Sequence, residues 1–180
     1  MNGEAPPFSR PLAVGRLPKG GVDQRLAATE PERLAAAAFL GIPSVELLEA
    51  ELSVTPSRGG YRVVGEMRAR AHQLCVATLE PFPVQFVEPV DARYAPPETL
   101  GPVSAKEIER GLEDEDPPEP LTGDAIDLGQ LAVETLALAL PPYPRKPGVA
   151  PVDVVIGDIG EPAESPFAAL AALGSRKKPD

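Results

Sequence analysis

The chain has 180 residues and a net charge of −10; aromatic residues make up only 4% of it, while 24 prolines and 16 glycines interrupt it. That length predicts one ordinary domain burying roughly 70% of the surface its unfolded chain would expose, with much of the chain in loops. The acidic total argues against a broad electrostatic footprint for nucleic acid, which needs clustered Lys and Arg, but leaves room for a basic face on the first half. No apolar run reaches the roughly 18 residues of a membrane span, the N-terminus lacks the apolar stretch of a signal peptide, and Cys75 has no second cysteine to pair with, which together predict a cytoplasmic protein.

Residues 1–11 are polar and proline-rich and read as a flexible lead into a strand around Leu12–Leu17, followed by a turn at Pro18–Gly21. Thr29 then serves as N-cap, Glu32 completes a capping box and Pro31 fits the first turn, so the pattern predicts a helix from Glu30 to Leu40 stopped by Gly41. From Val45 the periodicity changes to two: Leu48, Ala50, Leu52 and Val54 share one parity, as in a half-buried strand. Ser57–Gly60 reads as a hairpin turn. Beyond it Tyr61, Val63, Met67, Ala69, Ala71, Cys75, Ala77 and Leu79 share an inward face, with Arg62, Glu66, Arg68, Arg70 and His72 opposite. A third strand starts at Phe82, bends at Pro89 and runs towards Tyr94. Three sequential strands with short connections make an antiparallel meander covered by two or three helices, an α+β fold.

Residues 95–122, with the run Glu113-Asp114-Glu115-Asp116, are too polar and too charged to offset backbone ordering and read as a mobile acidic insertion. A second helix is predicted from Asp124, with Ile126, Leu128, Leu131, Ala132, Leu136, Leu138 and Leu140 on its apolar face, Gly129 costing it about 1 kcal/mol, and Pro141-Pro142 ending it. A third candidate helix spans Ser165–Leu173 before Gly174. The domain expectation is therefore a flexible 1–11, one domain over 12–174 and a frayed basic tail over 175–180.

Few residues offer chemistry. His72 and Cys75, three apart on a strand, fall on opposite faces and cannot readily form a nucleophile–base pair or joint metal ligands. Two such side chains also fall short of a tetrahedral zinc set, and the phosphate-cradling glycine motifs are missing. The sequence thus predicts a binding protein, not an enzyme, with no cofactor, metal or small-molecule substrate. Its best functional surface is the polar face carrying Arg62, Arg68, Arg70 and His72, readable as a phosphate-contacting stripe or as a solvated sheet face with cross-strand ion pairs to Glu49 or Glu51. Arg145 and Lys146 add a basic knob after the proline stop.

Two blocks carry a resemblance. Val63–Phe82, VVGEMRARAHQLCVATLEPF, is similar to a strand followed by a C-x-x-C-L-E-P-type segment, and Gly123–Gly148, GDAIDLGQLAVETLALALPPYPRKPG, to an I-D-L-G-x-L-x-x-E-x-L block. Both resemble the YceD family of large ribosomal RNA subunit accumulation proteins, and RPLAVGRLP and SPFAALAAL are similar to its alphaproteobacterial branch. The residues matching the family blocks are Cys75, Leu79, Glu80, Pro81, Asp127, Leu128, Glu134, Pro141 and Pro144. The second cysteine of the C-x-x-C is replaced by Thr78, and no later cysteine follows Pro144, so a metal role of cysteine-rich relatives does not carry over. The resemblance implies a non-enzymatic factor in accumulation or processing of large-subunit ribosomal RNA, binding precursor RNA or an assembling ribosomal protein. The alternative is a protein–protein adaptor whose acidic loop captures a basic client.

Overall fold

The computed structural model describes residues 6–100 and 118–149. The chain divides into two units, Met1–Val149 and Ala150–Asp180, and the elements below belong to the first. The acidic run at 113–116, the predicted helix at 165–173 and the basic tail lie outside the described residues.

In chain order the first unit contains β1 (Pro11–Ala13), β2 (Val22–Ala27), α1 (Glu30–Leu40), β3 (Ser44–Ser57), β4 (Gly60–Leu74), β5 (Pro81–Ala95), a short 3-10 turn (Pro97–Thr99), β6 (Glu119–Pro120), β7 (Ala125–Asp127) and α2 (Leu128–Ala139). The main sheet has five strands in the order β2-β3-β4-β5-β6, antiparallel except for the short parallel β5–β6 pair. This is the expected α+β meander, widened by two strands. The first of these, β2, was missed because Val22–Ala27 reads VDQRLA, whose alternation is too brief to stand out; pairing with β3 from Val22↔Val54 to Ala27↔Glu49 supplies what propensity lacks.

Helix α1 matches its expected bounds because its ends are chemically marked. The Glu32 carboxylate accepts both the Thr29 N–H and the Thr29 hydroxyl at 2.8 Å, and Gly41 closes the helix at φ 65°, a left-handed conformation that glycine adopts without the Cβ penalty. The alternation in β3 and β4 also holds: Leu48, Ala50, Leu52, Val54, Val63, Met67, Ala69 and Ala71 are all buried. Strand β4 nevertheless ends at Leu74, so Cys75, Ala77 and Leu79 belong to the following turn, and Leu79 is exposed instead of inward-facing. The bend expected at Pro89 is absent; β5 pairs with β4 from Pro81 to Tyr94 without interruption. Pro81, Pro83 and Pro89 share one parity, so they remove N–H groups from a single side of the strand, which an edge position tolerates. Only Tyr94 and Ala95 pair with β6 on that side.

The second helix begins at Leu128, four residues later than expected, because Ala125–Asp127 is held as a strand against β1, with Pro11↔Asp127 and Ala13↔Ala125 in register. Asp127, not Asp124, is therefore the cap. Leu128, Leu131, Ala132 and Leu136 are buried in a core shared with the inner face of the sheet, whereas Leu138 points to solvent. The lead expected to be flexible is packed from Phe8 onward: Phe8 is fully buried, and Arg10 accepts the Leu128 N–H through its carbonyl at 3.1 Å.

The Phe8–Ala13 segment thus straps the start of α2 to α1. The Asp127 carboxylate accepts from Ser9 Oγ at 2.6 Å, from the N–H of Arg10 at 2.7 Å, and from the N–H groups of Gly129 and Gln130 at 3.0 and 3.1 Å. The Arg10 guanidinium stacks 4.7 Å from the Phe8 ring centre and donates to both Glu32 oxygens at 2.6 and 3.0 Å. These bonds, first that from Arg10 and then those from Thr29, hold the Glu32 carboxyl down at about 2, below its ordinary 4.5.

Two outcomes follow from the strap. In an open helix Gly→Ala gains about 1 kcal/mol, but a Cβ on Gly129 would lie 2.8 Å from Phe8 O and 2.9 Å from Arg10 N. Gly129→Ala therefore lowers stability, by on the order of 1–3 kcal/mol in urea unfolding. Because the folded-state pKa of Glu32 is depressed, its contribution is full above about 4.5 and disappears as pH falls through about 2. Glu32→Gln is less stable than the parent at neutral pH, and the difference closes across that acid window.

Candidate functional site

Three regions of the described residues gather functional groups. The first is the outer face of the sheet, where alternation in β4 places Arg62, Arg68, Arg70 and His72 on one side as expected. Register sets acids among them: Glu49 lies opposite Arg68, Glu51 opposite Glu66, and Asp91 beside Arg62. Arg62 grips both Asp91 oxygens at 2.9 and 2.6 Å, Arg68 donates to Glu66 at 2.6 Å, and Arg25 of β2 reaches Glu51 at 3.5 Å. The Asp91 carboxyl is held below its usual range by the Arg62 hydrogen bond. Glu66, and more distantly Glu51 and Glu49, raise the Arg68 pKa. His72 Nδ1 lies 3.0 Å from Ser44 Oγ and 3.3 Å from Glu46. Both contacts use the same ring nitrogen, so the imidazole cannot pass a proton from that serine to that carboxylate as a triad would.

The stripe is thus a mosaic of both signs. Among the predicted contacts, Arg70 and Arg145 have no ion pair among the described residues, while Lys146 Nζ is 3.1 Å from Glu80. Exposed pairs of this kind contribute about 0–1 kcal/mol each and are screened by salt.

The second region is the β4–β5 turn. The Cys75 N–H donates to Glu80 O at 2.9 Å, the Leu79 N–H donates to Cys75 O at 2.8 Å, and the Val76 N–H donates to Pro144 O at 2.9 Å, tying the turn to the segment beyond α2. No part of Cys75 is open to solvent. Its sulfur accepts from the Lys146 N–H, the Thr78 hydroxyl and the N–H groups of Thr78 and Ala77, which together draw the thiol down to about 7 against a smaller opposing effect of burial. Thr78, standing where a second cysteine is common in the resembling family, therefore serves as a donor to the first. Leu79 has φ 57°, an unusual conformation for a leucine, and is 76% exposed. Cys75 and His72 are not brought together.

The third region is a crevice of about 270 Å3 lined by Tyr94, Glu119, Asp127, Gln130 and Glu134. Burial, and then the charges of Glu119, Glu134 and Asp127, raise the Tyr94 phenol; burial and Glu134 raise the Glu119 carboxyl. Among the described residues no three His, Cys, Asp or Glu side chains converge as metal ligands, and no helix is long and apolar enough to cross a membrane.

The family-block residues have structural work in this geometry. Asp127 and Leu128 seat the strap, Cys75, Glu80 and Pro144 form the turn clasp, Pro81 opens β5, Pro141 follows the end of α2, and Glu134 accepts from Gln130 at 2.8 Å. Sequence reasoning missed Gln73, a polar residue on the inward parity of β4 that is only 4% exposed and whose Oε1 has no hydrogen-bond partner among the described residues. Its parity with Met67, Ala69 and Ala71 was the available signal.

A small α+β scaffold with a strapped helix and a clasped turn is the class this geometry defines. Residues 63–174, more than half of the chain, match the family model described as Large ribosomal RNA subunit accumulation protein YceD, and the chain belongs to that family. No curated protein and no solved structure matches it.

The clasp is open to measurement. Thiolate ultraviolet absorbance of the folded protein titrates near 7, against about 9 in urea, and Lys146→Pro, which deletes the leading donor, moves the folded value upward. Between those values the unfolded chain binds the extra proton, so stability rises with pH; Cys75→Ala removes that rise.

Proposed function

We propose that this protein is a non-catalytic factor that sustains accumulation of large-subunit ribosomal RNA by binding the precursor RNA or a ribosomal protein assembling on it. The observation that carries the reading is the match over residues 63–174 to a family named for large ribosomal RNA subunit accumulation. The outer face supports it in a restricted form. A polyanion approaching that face meets Arg70, which has no ion pair among the described residues, while at Arg62 and Arg68 it must displace Asp91 and Glu66. Such contact is weak and strongly salt-dependent, as suits a factor that leaves a maturing particle.

Depletion tests the reading directly. Large-subunit ribosomal RNA falls relative to small-subunit RNA when the protein is withdrawn, and re-expression restores the ratio. An unchanged ratio together with unchanged precursor profiles overturns the proposal.

A further inference from the structure

The end of the first unit opposite the β3–β4 hairpin concentrates features that the ribosomal reading does not use. A cleft of about 510 Å3 opens there between the C-terminal ends of α1 and α2, with Phe39, Ile42, Leu74, Leu140 and Pro142 among its walls. Phe39 is 67% exposed and Leu74 47%, and Val76, Leu79, Leu138 and Tyr143 are exposed around the same end. Exposed apolar side chains scattered singly are ordinary; gathered at one end around a cleft they mark a contact surface. Gln73 also lines this cleft, and its Oε1, buried and without a partner, is an acceptor whose desolvation nothing in the described protein offsets.

Charge narrows the choice of occupant. Of the carboxylates near this end, Glu80 is paired with Lys146, and Glu46 lies 3.3 Å from His72 Nδ1, an ion pair only when the imidazole is protonated. Arg145, next to the cleft-lining Pro144, has no ion pair among the described residues. The surface therefore complements an apolar partner bearing negative charge. A second copy meeting this end with its own would bring Arg145 against a like surface whose Glu80 is already paired with Lys146. Apart from Phe39 the lining is aliphatic, proline and Gln73, which suits side chains more than a run of stacked bases, since those need successive aromatic platforms.

We propose that this cleft binds an extended protein segment that inserts apolar side chains between Phe39 and Leu74, donates an N–H to Gln73 Oε1 and presents an Asp or Glu to Arg145. The proposal is independent of whether the partner belongs to a ribosomal particle.

Panning a phage-displayed random peptide library on the full-length protein tests it. Recovered peptides combine apolar residues with Asp or Glu, and a synthetic copy of one binds about tenfold more weakly to Gln73→Met and to Arg145→Glu, the size of one lost hydrogen bond or ion contact. Phe39→Ala, at an exposed position, weakens it as well. Gln73→Met replaces an unpartnered acceptor with an apolar isostere, so its melting temperature is equal to or above the parent's, which separates lost binding from lost folding. Recovery of no peptide, recovery of basic peptides, or indifference to all three substitutions overturns the proposal. So does a mixed-sequence single-stranded RNA whose binding is lost in Phe39→Ala, or a concentration-dependent dimer in sedimentation that Leu74→Ser abolishes. Because the depletion experiment reads ribosomal RNA and this one reads peptide affinity, either can fail alone.

Discussion

The Asp127 carboxylate is where three separate parts of the chain become one structure. It accepts from Ser9 and Arg10 in the strap and from Gly129 and Gln130 at the start of α2, so one side chain ends β7, caps the helix and fastens the N-terminal segment. Charged acceptors make the stronger hydrogen bonds, and a helix N-terminus favours negative charge, so the tie gains from both effects. What it fastens is apolar: Phe8 and Val14 on one side, Ile126 and Leu128 on the other, all buried. Gly129 completes the arrangement by letting the Phe8 carbonyl approach closer than any side chain allows. The I-D-L-G motif is thereby accounted for residue by residue as packing, capping and close approach. It also explains how residues before 63, outside the family match, are integral to the same core.

What the sequence made legible follows from where information is local. The α1 boundaries rest on Thr29, Glu32 and Gly41, residues within reach of the backbone they cap, and the inward parity of β3 and β4 is a direct consequence of strand geometry. Gln73 apart, whose parity was legible, the misplaced elements required knowledge of distant partners. Strand β2 exists because β3 is beside it, the strand at Ala125–Asp127 because β1 pairs with it, and no local signal distinguishes Asp124 from Asp127 as cap until Ser9 and Arg10 are placed. The arginine stripe was placed on the correct face, but its electrostatics depend on the strand register, which sets Asp91 and Glu49 among the arginines.

That register changes what the outer face can do. A free row of arginines would hold phosphate strongly and indiscriminately, whereas these arginines are mostly engaged at the surface in weak pairs. Exchange of one anion for another then costs little and gains little, and the face favours transient, salt-sensitive encounters. In a chain carrying a net charge of −10, long-range repulsion from nucleic acid opposes the same encounters. An attachment that lasts needs a contribution that is not electrostatic.

The cleft end is where such a contribution is available. Over most of the first unit, local preference, pattern and packing agree: capped helices, alternating strands and buried leucines. At this one end they disagree together, with an exposed Leu79 in a left-handed conformation, an exposed Phe39 and Leu74, and a buried Gln73 acceptor left unpaired. Each departure lowers the stability of the isolated protein, and strain of this kind persists where surrounding structure holds it in place. Here the holding structure is the clasp, in which the Val76 N–H fixes the turn to Pro144, a residue that also lines the cleft. An end kept apolar, strained and unsatisfied by a clasp built for rigidity is organised for a second molecule to complete.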